Sequence, residues 1–397
     1  MPMNVEYRAY HPDDSVEACA VLNRAFPKIQ FTHDAWEEVA AKDFAAPIAL
    51  LDGRIVGAIP MKRRVYRIAP GCDVAAWVQY RVGVAPELQR RGIGSGMQAA
   101  IKGFLHSRGD ILLINTCGQG TPQYRFYRRN GFYDVACPQH FEVRPIVDGS
   151  TSDGFHRVSE EDFYANRASW IDLFENCYDE VGGYPLRTGA YPFDHLSLLH
   201  RRSGSSSAAY ATIGPPDRPA GYVIFVEGGS AINVQELAVR DDDEALTRQL
   251  LDALRSHGRP VSLPASRGTT LWHILHEPSL SESVRVERTR PIIVHILNVE
   301  TTADRVWRQV PRLDNVTVKV RTNVRDAILR PTPSGSREIT LELHEATLSR
   351  LLMRRIDLVQ AVAEERIAVT GADQADIDAL ADALPPCPWV YHRMDGL

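Results

Sequence analysis

The run Tyr80-Arg81-Val82-Gly83-Val84-Ala85-Pro86-Glu87-Leu88-Gln89-Arg90-Arg91-Gly92-Ile93-Gly94-Ser95-Gly96-Met97 decides how this chain folds. An apolar strand is expected up to Val84, and Pro86 ends it. A helix is expected from about Gly92, carrying Met97, Ile101 and Leu105 at helical spacing. Between them stands Gln89-Arg90-Arg91-Gly92-Ile93-Gly94. The first N–H groups of a helix have no intrahelical acceptor, and the helix dipole adds partial positive charge there. The glycines admit a close backbone approach, and Arg90 and Arg91 add full charge. The stretch reads as a cradle for a pyrophosphate.

Two other phosphate-binding turns are excluded by spacing. A Rossmann turn needs Gly-x-Gly-x-x-Gly at the strand end and an acidic residue about 20 positions later, where this chain has Ile111-Leu112-Leu113-Ile114-Asn115-Thr116-Cys117. A P-loop needs Gly-Lys-Ser/Thr, which is absent.

Working outward, 397 residues imply two or three domains. A net charge of −5 disfavours broad nucleic-acid binding. The six cysteines are scattered without metal-ligand spacing or Cys-x-x-Cys, as in reduced thiols of a cytoplasmic protein, and no metal is implied. Neither a signal peptide nor an apolar run of about 20 residues is present, so no membrane partner is expected.

Residues 3–10 alternate as a strand, followed by a helix with Val16, Ala20, Val21 and Leu22 and a second one through Trp36. Asp52-Gly53 marks a hairpin. After strand Ile111–Cys117 comes Gln123-Tyr124-Arg125-Phe126-Tyr127-Arg128-Arg129-Asn130-Gly131-Phe132, a short helix closed by a glycine cap. Residues 147–154 read as a linker. Strand Val234–Val239, Arg240-Asp241-Asp242-Asp243-Glu244 and helix Ala245–His257 repeat the strand-loop-helix layout, but four carboxylates and no glycine would repel a pyrophosphate. From Pro291 on, amphipathic strands (Ile292–Leu297, Asn315–Val320, Asp326–Arg330, Glu338–His344) alternate with helices, the last being Ile377–Leu384.

Gln89-Arg90-Arg91-Gly92-Ile93-Gly94, following Val-x-Pro, resembles motif A of the GCN5-related N-acetyltransferases (GNAT), and Tyr127-x-x-x-Gly131-Phe132 resembles their motif B. This likeness covers roughly residues 3–145. The later repeat resembles a degenerate second copy, and the C-terminal pattern resembles a sterol-carrier-protein-like (SCP2-like) fold. Together they resemble the Eis (enhanced intracellular survival) family of bacterial acetyltransferases. The fold class implied is α/β (α+β): a GNAT domain at 1–146, a degenerate GNAT domain at 155–288 and a sterol-carrier-like domain at 289–397.

The resemblance implies acetyl-CoA as acyl donor and an amine as acceptor, on an aminoglycoside-like or other cationic small molecule or a lysine side chain. It implies a homo-oligomer, hexameric in the family. Gln89, Arg90, Arg91, Gly92, Ile93, Gly94 and Ser95 would hold the pyrophosphate. The backbone of Val82, Gly83 and Val84, splayed from its neighbour, would pair with the pantetheine arm and the thioester oxygen. Tyr127 would protonate the leaving thiolate, with Tyr124 in reserve. Spacing alone points to no base; carried over from the family, that role falls on the C-terminal carboxylate of Leu397, although the tail lacks the family's aromatic terminus. Phe26, Phe31 and Trp36 could line a substrate pocket, with Asp34, Glu37 and Glu38 available to a cation. Two other readings remain: a non-catalytic acyl-CoA-binding protein, and a transferase of longer acyl groups.

Overall fold

The computed structural model describes residues 3–28, 31–34, 36, 44–106, 108, 111–115, 118–146, 155–187, 208–228, 230–280, 282–286, 290–332 and 337–393. In the first segment lie β1 (Val5–Ala9), α1 (Ser15–Ala25), β2 (Phe44–Ala45), β3 (Pro47–Leu51), β4 (Arg54–Ala58), β5 (Met61–Ala69), β6 (Cys72–Gln79) and β7 (Gly83–Val84). They are followed by α2 (Ile93–Leu105), β8 (Ile111–Asn115), α3 (Pro122–Arg129) and β9 (Tyr133–Ala136). The middle segment holds β10 (Gln139–Val143), β11 (Phe155–Val158), α4 (Glu160–Ala165), α5 (Arg167–Cys177), β12 (Tyr184–Pro185), β13 (Ala208–Ile213), β14 (Gly221–Gly228), β15 (Ala231–Val239), α6 (Glu244–Arg255), β16 (Val261–Ala265), α7 (Thr270–Leu275) and β17 (Val284–Val286). The last holds β18 (Ile292–Ile296), α8 (Val299–Val306), β19 (Val316–Arg321), β20 (Asp326–Arg330), β21 (Arg337–Leu343), α9 (Glu345–Leu352), α10 (Leu358–Ala363), β22 (Ile367–Thr370) and α11 (Gln374–Ala383).

These elements form two compact units, each discontinuous in sequence: Met1–Ala136 with Pro291–Cys387, and Cys137–Arg290 with Pro388–Leu397. They do not follow the contiguous segments expected from the sequence, and the strand pairing gives the reason. β10, which follows β9 along the chain, pairs with β16 and β17 of the second unit. β18, which follows β17, runs between β8 and β9 of the first. Each strand completes a sheet begun by a different stretch of chain.

In the first unit, one sheet runs β1-β3-β4-β7. Another contains β5-β6-β8-β18-β9 in that order, with β2 on β5. Ile93, Met97, Ile101 and Leu105 of α2 recur every four residues and are at most 2% exposed, so one stripe of this helix enters the core. They pack with Trp77, Tyr127, Phe132 and Ile293. A third sheet, β20-β19-β21-β22, alternates buried Val316, Val318 and Val320 with more exposed neighbours, as a sheet covered on one face does. Its register is parallel between β19 and β21.

The second unit is built on one sheet, β11-β13-β14-β15-β16-β10-β17, over a core containing Phe163, Trp170, Phe174, Tyr222 and Phe225. Arg187 and Glu236 form a fully buried ion pair within it, 2.6 Å apart, and the Tyr222 hydroxyl donates to the same carboxylate. The guanidinium also lies 3.9 Å from the Phe174 ring centroid. Among the described residues no helix is long and apolar enough to cross a membrane.

Candidate active site

β6 pairs in parallel with β8 at Ala76, Trp77 and Val78. Past Gln79 the chain leaves that sheet, and Gly83 and Val84 pair instead with Ala58 and Gly57 of β4. The change of partner falls at residues 80–82, where the Tyr80 N–H donates to Pro60 O at 2.9 Å. α1 comes close to the chain at Gly83: a Cβ here would lie 2.3 Å from Cδ2 of Leu22 and push that side chain aside.

The loop after the strand is shaped by its own bonds. Ala85 N–H donates to Val56 O, and the Gln89 side-chain amide donates to Val84 O at 3.1 Å. Gln89 is therefore a brace of the loop. Arg90 and Gly92 have φ of +63° and +86°, a left-handed pair that turns the chain into α2. No side chain caps α2 at Gly92, and acidic residues are absent from its first turn. The first-turn N–H groups of Ile93, Gly94 and Ser95 thus have no intrahelical acceptor, and exposed Arg90 and Arg91 stand just before them.

α3 brings the motif-B tyrosine onto this helix. Thr121 caps it, accepting from Tyr124 N–H, and Pro122 occupies the first turn. Phe126 meets α2 at Gly94, where a Cβ would be 3.3 Å from its ring. Tyr127 is 9% exposed and lies edge-on to Phe126 and Phe132, at 5.2 and 5.6 Å between centroids. Tyr124 has a different role. Its hydroxyl donates to both oxygens of Asp134, at 2.9 and 2.7 Å, and Gln119 adds a third bond to that carboxylate. A phenol bound in this way has its proton committed to Asp134.

Phe26, Phe31 and Trp36 belong to one hydrophobic cluster, Trp36 buried in it and Phe26 and Phe31 partly buried against it. Phe26 lies at the end of α1 beside Gly83, with the Arg81 guanidinium 5.7 Å from its ring. Phe31 is held by Asn23, whose side chain donates to Phe31 O and accepts from Phe31 N–H at 2.9 and 2.7 Å. Sequence reasoning missed that clamp, which only the fold reveals. Trp36 is 5% exposed, set in the core against Tyr10 and Phe44. Asp34 is exposed, whereas Glu37, Glu38 and Leu397 lie outside the described residues.

The second unit repeats the strand divergence. β15 and β16 pair in parallel only at Ile232–Val261 and Asn233–Ser262. The loop beyond β15 carries carboxylates: Asp241 and Asp242 are left-handed, Asp243 caps α6, and Asp242 accepts the Thr270 N–H of α7 at 3.0 Å. The chain's last described residues enter here. Arg393 donates to Asn233 and Ser262, at 2.8 and 2.7 Å, tying the two strands at their last paired position. His392 lies among Phe174 and Tyr178, and burial holds its imidazole well below the usual range. Val390 and Tyr391 help close the divergence to a cavity of about 20 Å³, room for one water. Among the described residues no group of three or more His, Cys, Asp or Glu could hold a metal ion.

Residues 43–134 match the family described as acetyltransferase (GNAT) domain. No curated protein matches the sequence. The fold is similar to that of a GCN5-related N-acetyltransferase from Anabaena variabilis, with TM-score 0.73 at 15% identity over 99% of this chain and 100% of that one. A probable N-acyltransferase from Enterococcus faecalis aligns with TM-score 0.74 at 13% identity, over 98% and 100% of the two chains. Eis1 from Mycobacterium abscessus aligns with TM-score 0.65 at 15% identity, over 99% and 100%. Residues 43–134 of this chain match the acetyltransferase (GNAT) domain, and the whole chain has the fold of these three solved proteins.

Proposed function

We propose that the protein transfers an acetyl group from acetyl-CoA to an amine, with the acyl donor held by the GNAT-type segment of the first unit. The observation that carries this reading is the conjunction at α2. A strand that changes sheets at residues 80–82 leads into an uncapped, left-handed helix entry, and Tyr127 packs on the same helix. The pyrophosphate is assigned to the first-turn N–H groups with Arg90 and Arg91. The backbone of Val82, Gly83 and Val84, on the side turned away from β4, is assigned to the pantetheine arm and the thioester oxygen, where a preorganised donor is typically worth about 3 kcal/mol.

The acceptor amine attacks the thioester carbonyl carbon, and the C–S bond breaks. Tyr127 gives its phenolic proton to the sulfur as general acid. Tyr124, with its proton committed to Asp134, is the weaker candidate. We assign the proton lost by nitrogen to the terminal carboxylate of Leu397, by resemblance to the Eis family. The acceptor is a cationic small molecule or a lysine side chain. The second unit is read as a silent copy: its loop supplies carboxylates where an anion would sit, and its strand divergence is filled by the tail. The C-terminal part, residues 289–397, is read as a sterol-carrier-like scaffold.

Thiol release from acetyl-CoA, measured against aminoglycosides, polyamines and lysine peptides, tests the reading. Turnover on at least one amine, strongly reduced in Tyr127→Phe, is the expected result. Binding of acetyl-CoA without release on any amine would favour a non-catalytic acyl-CoA-binding protein. Release only from longer acyl-CoAs would change the donor.

A further inference from the structure

The turn that ends the Tyr127 helix rests on two side chains from distant parts of the chain. Asn130 N–H and Phe132 N–H both donate to Tyr127 O, so Tyr127 is the base of the turn. The carbonyls of Asn130 and Gly131 in this turn are each taken by a side-chain donor. Lys102 Nζ donates to Asn130 O at 3.0 Å, and His295 Nδ1 donates to Gly131 O at 2.8 Å. Gly131 has φ +77°, and a Cβ there would stand 3.4 Å from both donor nitrogens. The turn therefore sits directly on a shelf made by this pair.

Each donor belongs to an element with its own part in the site. Lys102 lies on α2, the helix whose first turn forms the anion cradle. His295 lies on β18, the strand that returns from beyond β17 to run between β8 and β9. The His295 ring is also 5.8 Å from Phe132, which in turn packs edge-on to Tyr127. The turn is tied to α2 a second time through Asn130, whose side-chain amide approaches Ser95 Oγ at 3.4 Å. An apolar residue at position 102 would pack α2 without the desolvation that a partly buried ammonium suffers. What the lysine adds is a directed bond, and a cation at a helix C-terminus, where the dipole favours one. Burial and the Lys102 charge push the His295 imidazole down to about 3, so near neutral pH it stays an uncharged donor.

We propose that Lys102 and His295 are positioning residues for Tyr127. By holding the Asn130 and Gly131 carbonyls they fix the tyrosine in height and tilt relative to the cradle helix. This rests on Tyr127 being the acid, as proposed above. A displacement of about 1 Å at a reacting group can lower a rate about a hundredfold, so loss of one of two supports should lower kcat on the order of tenfold.

The test is a set of double-mutant cycles, with kcat and KM for acetyl-CoA measured on the full chain. Lys102→Met and His295→Leu are each made alone and with Tyr127→Phe. His295→Asn, which keeps an N–H near the Nδ1 position, serves as the conservative variant, and thermal melting identifies any chain that fails to fold. The expected result is a roughly tenfold fall in kcat for Lys102→Met and His295→Leu, with KM changed less than about twofold. His295→Asn should recover most of the rate, and in the Tyr127→Phe background neither change should lower kcat further. Equal losses with and without the phenol would show general destabilisation and overturn the inference, as would wild-type kcat in folded Lys102→Met. If Tyr127→Phe itself retained full kcat, the assignment of the acid would fall instead.

Discussion

The side-chain amides of Gln79 and Gln98 exchange two hydrogen bonds, at 3.1 and 2.9 Å, with both residues at most 2% exposed. Gln79 ends β6 just before the chain changes sheets, and Gln98 lies on α2 six residues past Gly92. The pair sets the register of the cradle helix on the strand that diverges, because a slide of either element would leave buried polar atoms without partners. Replacing Gln98 by Leu should therefore cost about 1–3 kcal/mol, the penalty of an orphaned buried amide. The double change Gln79→Leu with Gln98→Leu should cost less than the two single changes summed. Urea unfolding of the three variants measures this, and strict additivity would contradict the coupling.

The two tyrosines of α3 should separate by phenotype. Tyr127→Phe removes the proposed acid and should lower kcat by about 10²–10⁴, the usual range for a general acid, with little change in folding. Tyr124→Phe deprives Asp134 of its nearest donor and should cost about 1–3 kcal/mol of stability with a small effect on kcat. Rate and melting temperature recorded on both variants check the assignment, and a reversed pattern would make Tyr124 the acid.

Much of this site was legible in the sequence because it is local. The glycines, the proline stop and the helical apolar stripe all lie within the span 80–105, and β7, the loop and α2 follow them. The Asp52-Gly53 turn was equally plain, and both residues have the left-handed φ that such a hairpin needs. The partners of Tyr124 and Phe31 were not legible, since a hydrogen bond to Asp134 or Asn23 has no periodic signature. Nor was the full β5–β6 hairpin, in which the basic run Lys62-Arg63-Arg64 hides the alternation of a strand.

The strand exchange was the largest feature that the sequence concealed. Residues 292–297 read as an ordinary strand and 139–143 carried no reading of their own, and nothing local to either sequence names its partner. A fragment of residues 1–146 should therefore be unstable alone, because it lacks β18 and leaves the facing edges of β8 and β9 unpaired. Expression of this fragment followed by gel filtration checks the point, with aggregation as the expected outcome and a soluble, cooperatively melting monomer as the contrary one.

Acid should weaken both units through neutral histidines. His140 is pushed down to about 4 by burial and by the charges of Arg393 and Arg290, and His295 to about 3 by burial and Lys102. An unfolded histidine titrates near ~6.5, so below that pH the unfolded chain holds more protons than the folded one. The stabilisation is complete above about pH 6.5 and is lost progressively as pH falls towards the folded values. Melting temperatures from pH 7.5 to 5 should decline less steeply in His140→Asn and His295→Asn than in wild type, and parallel slopes would contradict the sign.

The central claim is that the anion site at the start of α2 in the first unit, and no other, holds the acyl donor. Ser95→Glu probes it most directly. Ser95 is exposed in the first turn of α2, where a carboxylate complements the helix dipole and should leave stability equal or slightly raised. The same carboxylate would repel a pyrophosphate. Calorimetric titration with acetyl-CoA should give one site per chain in wild type, and no measurable binding in a Ser95→Glu chain that melts no lower. Two sites per chain, or undiminished binding in Ser95→Glu, would place the donor elsewhere.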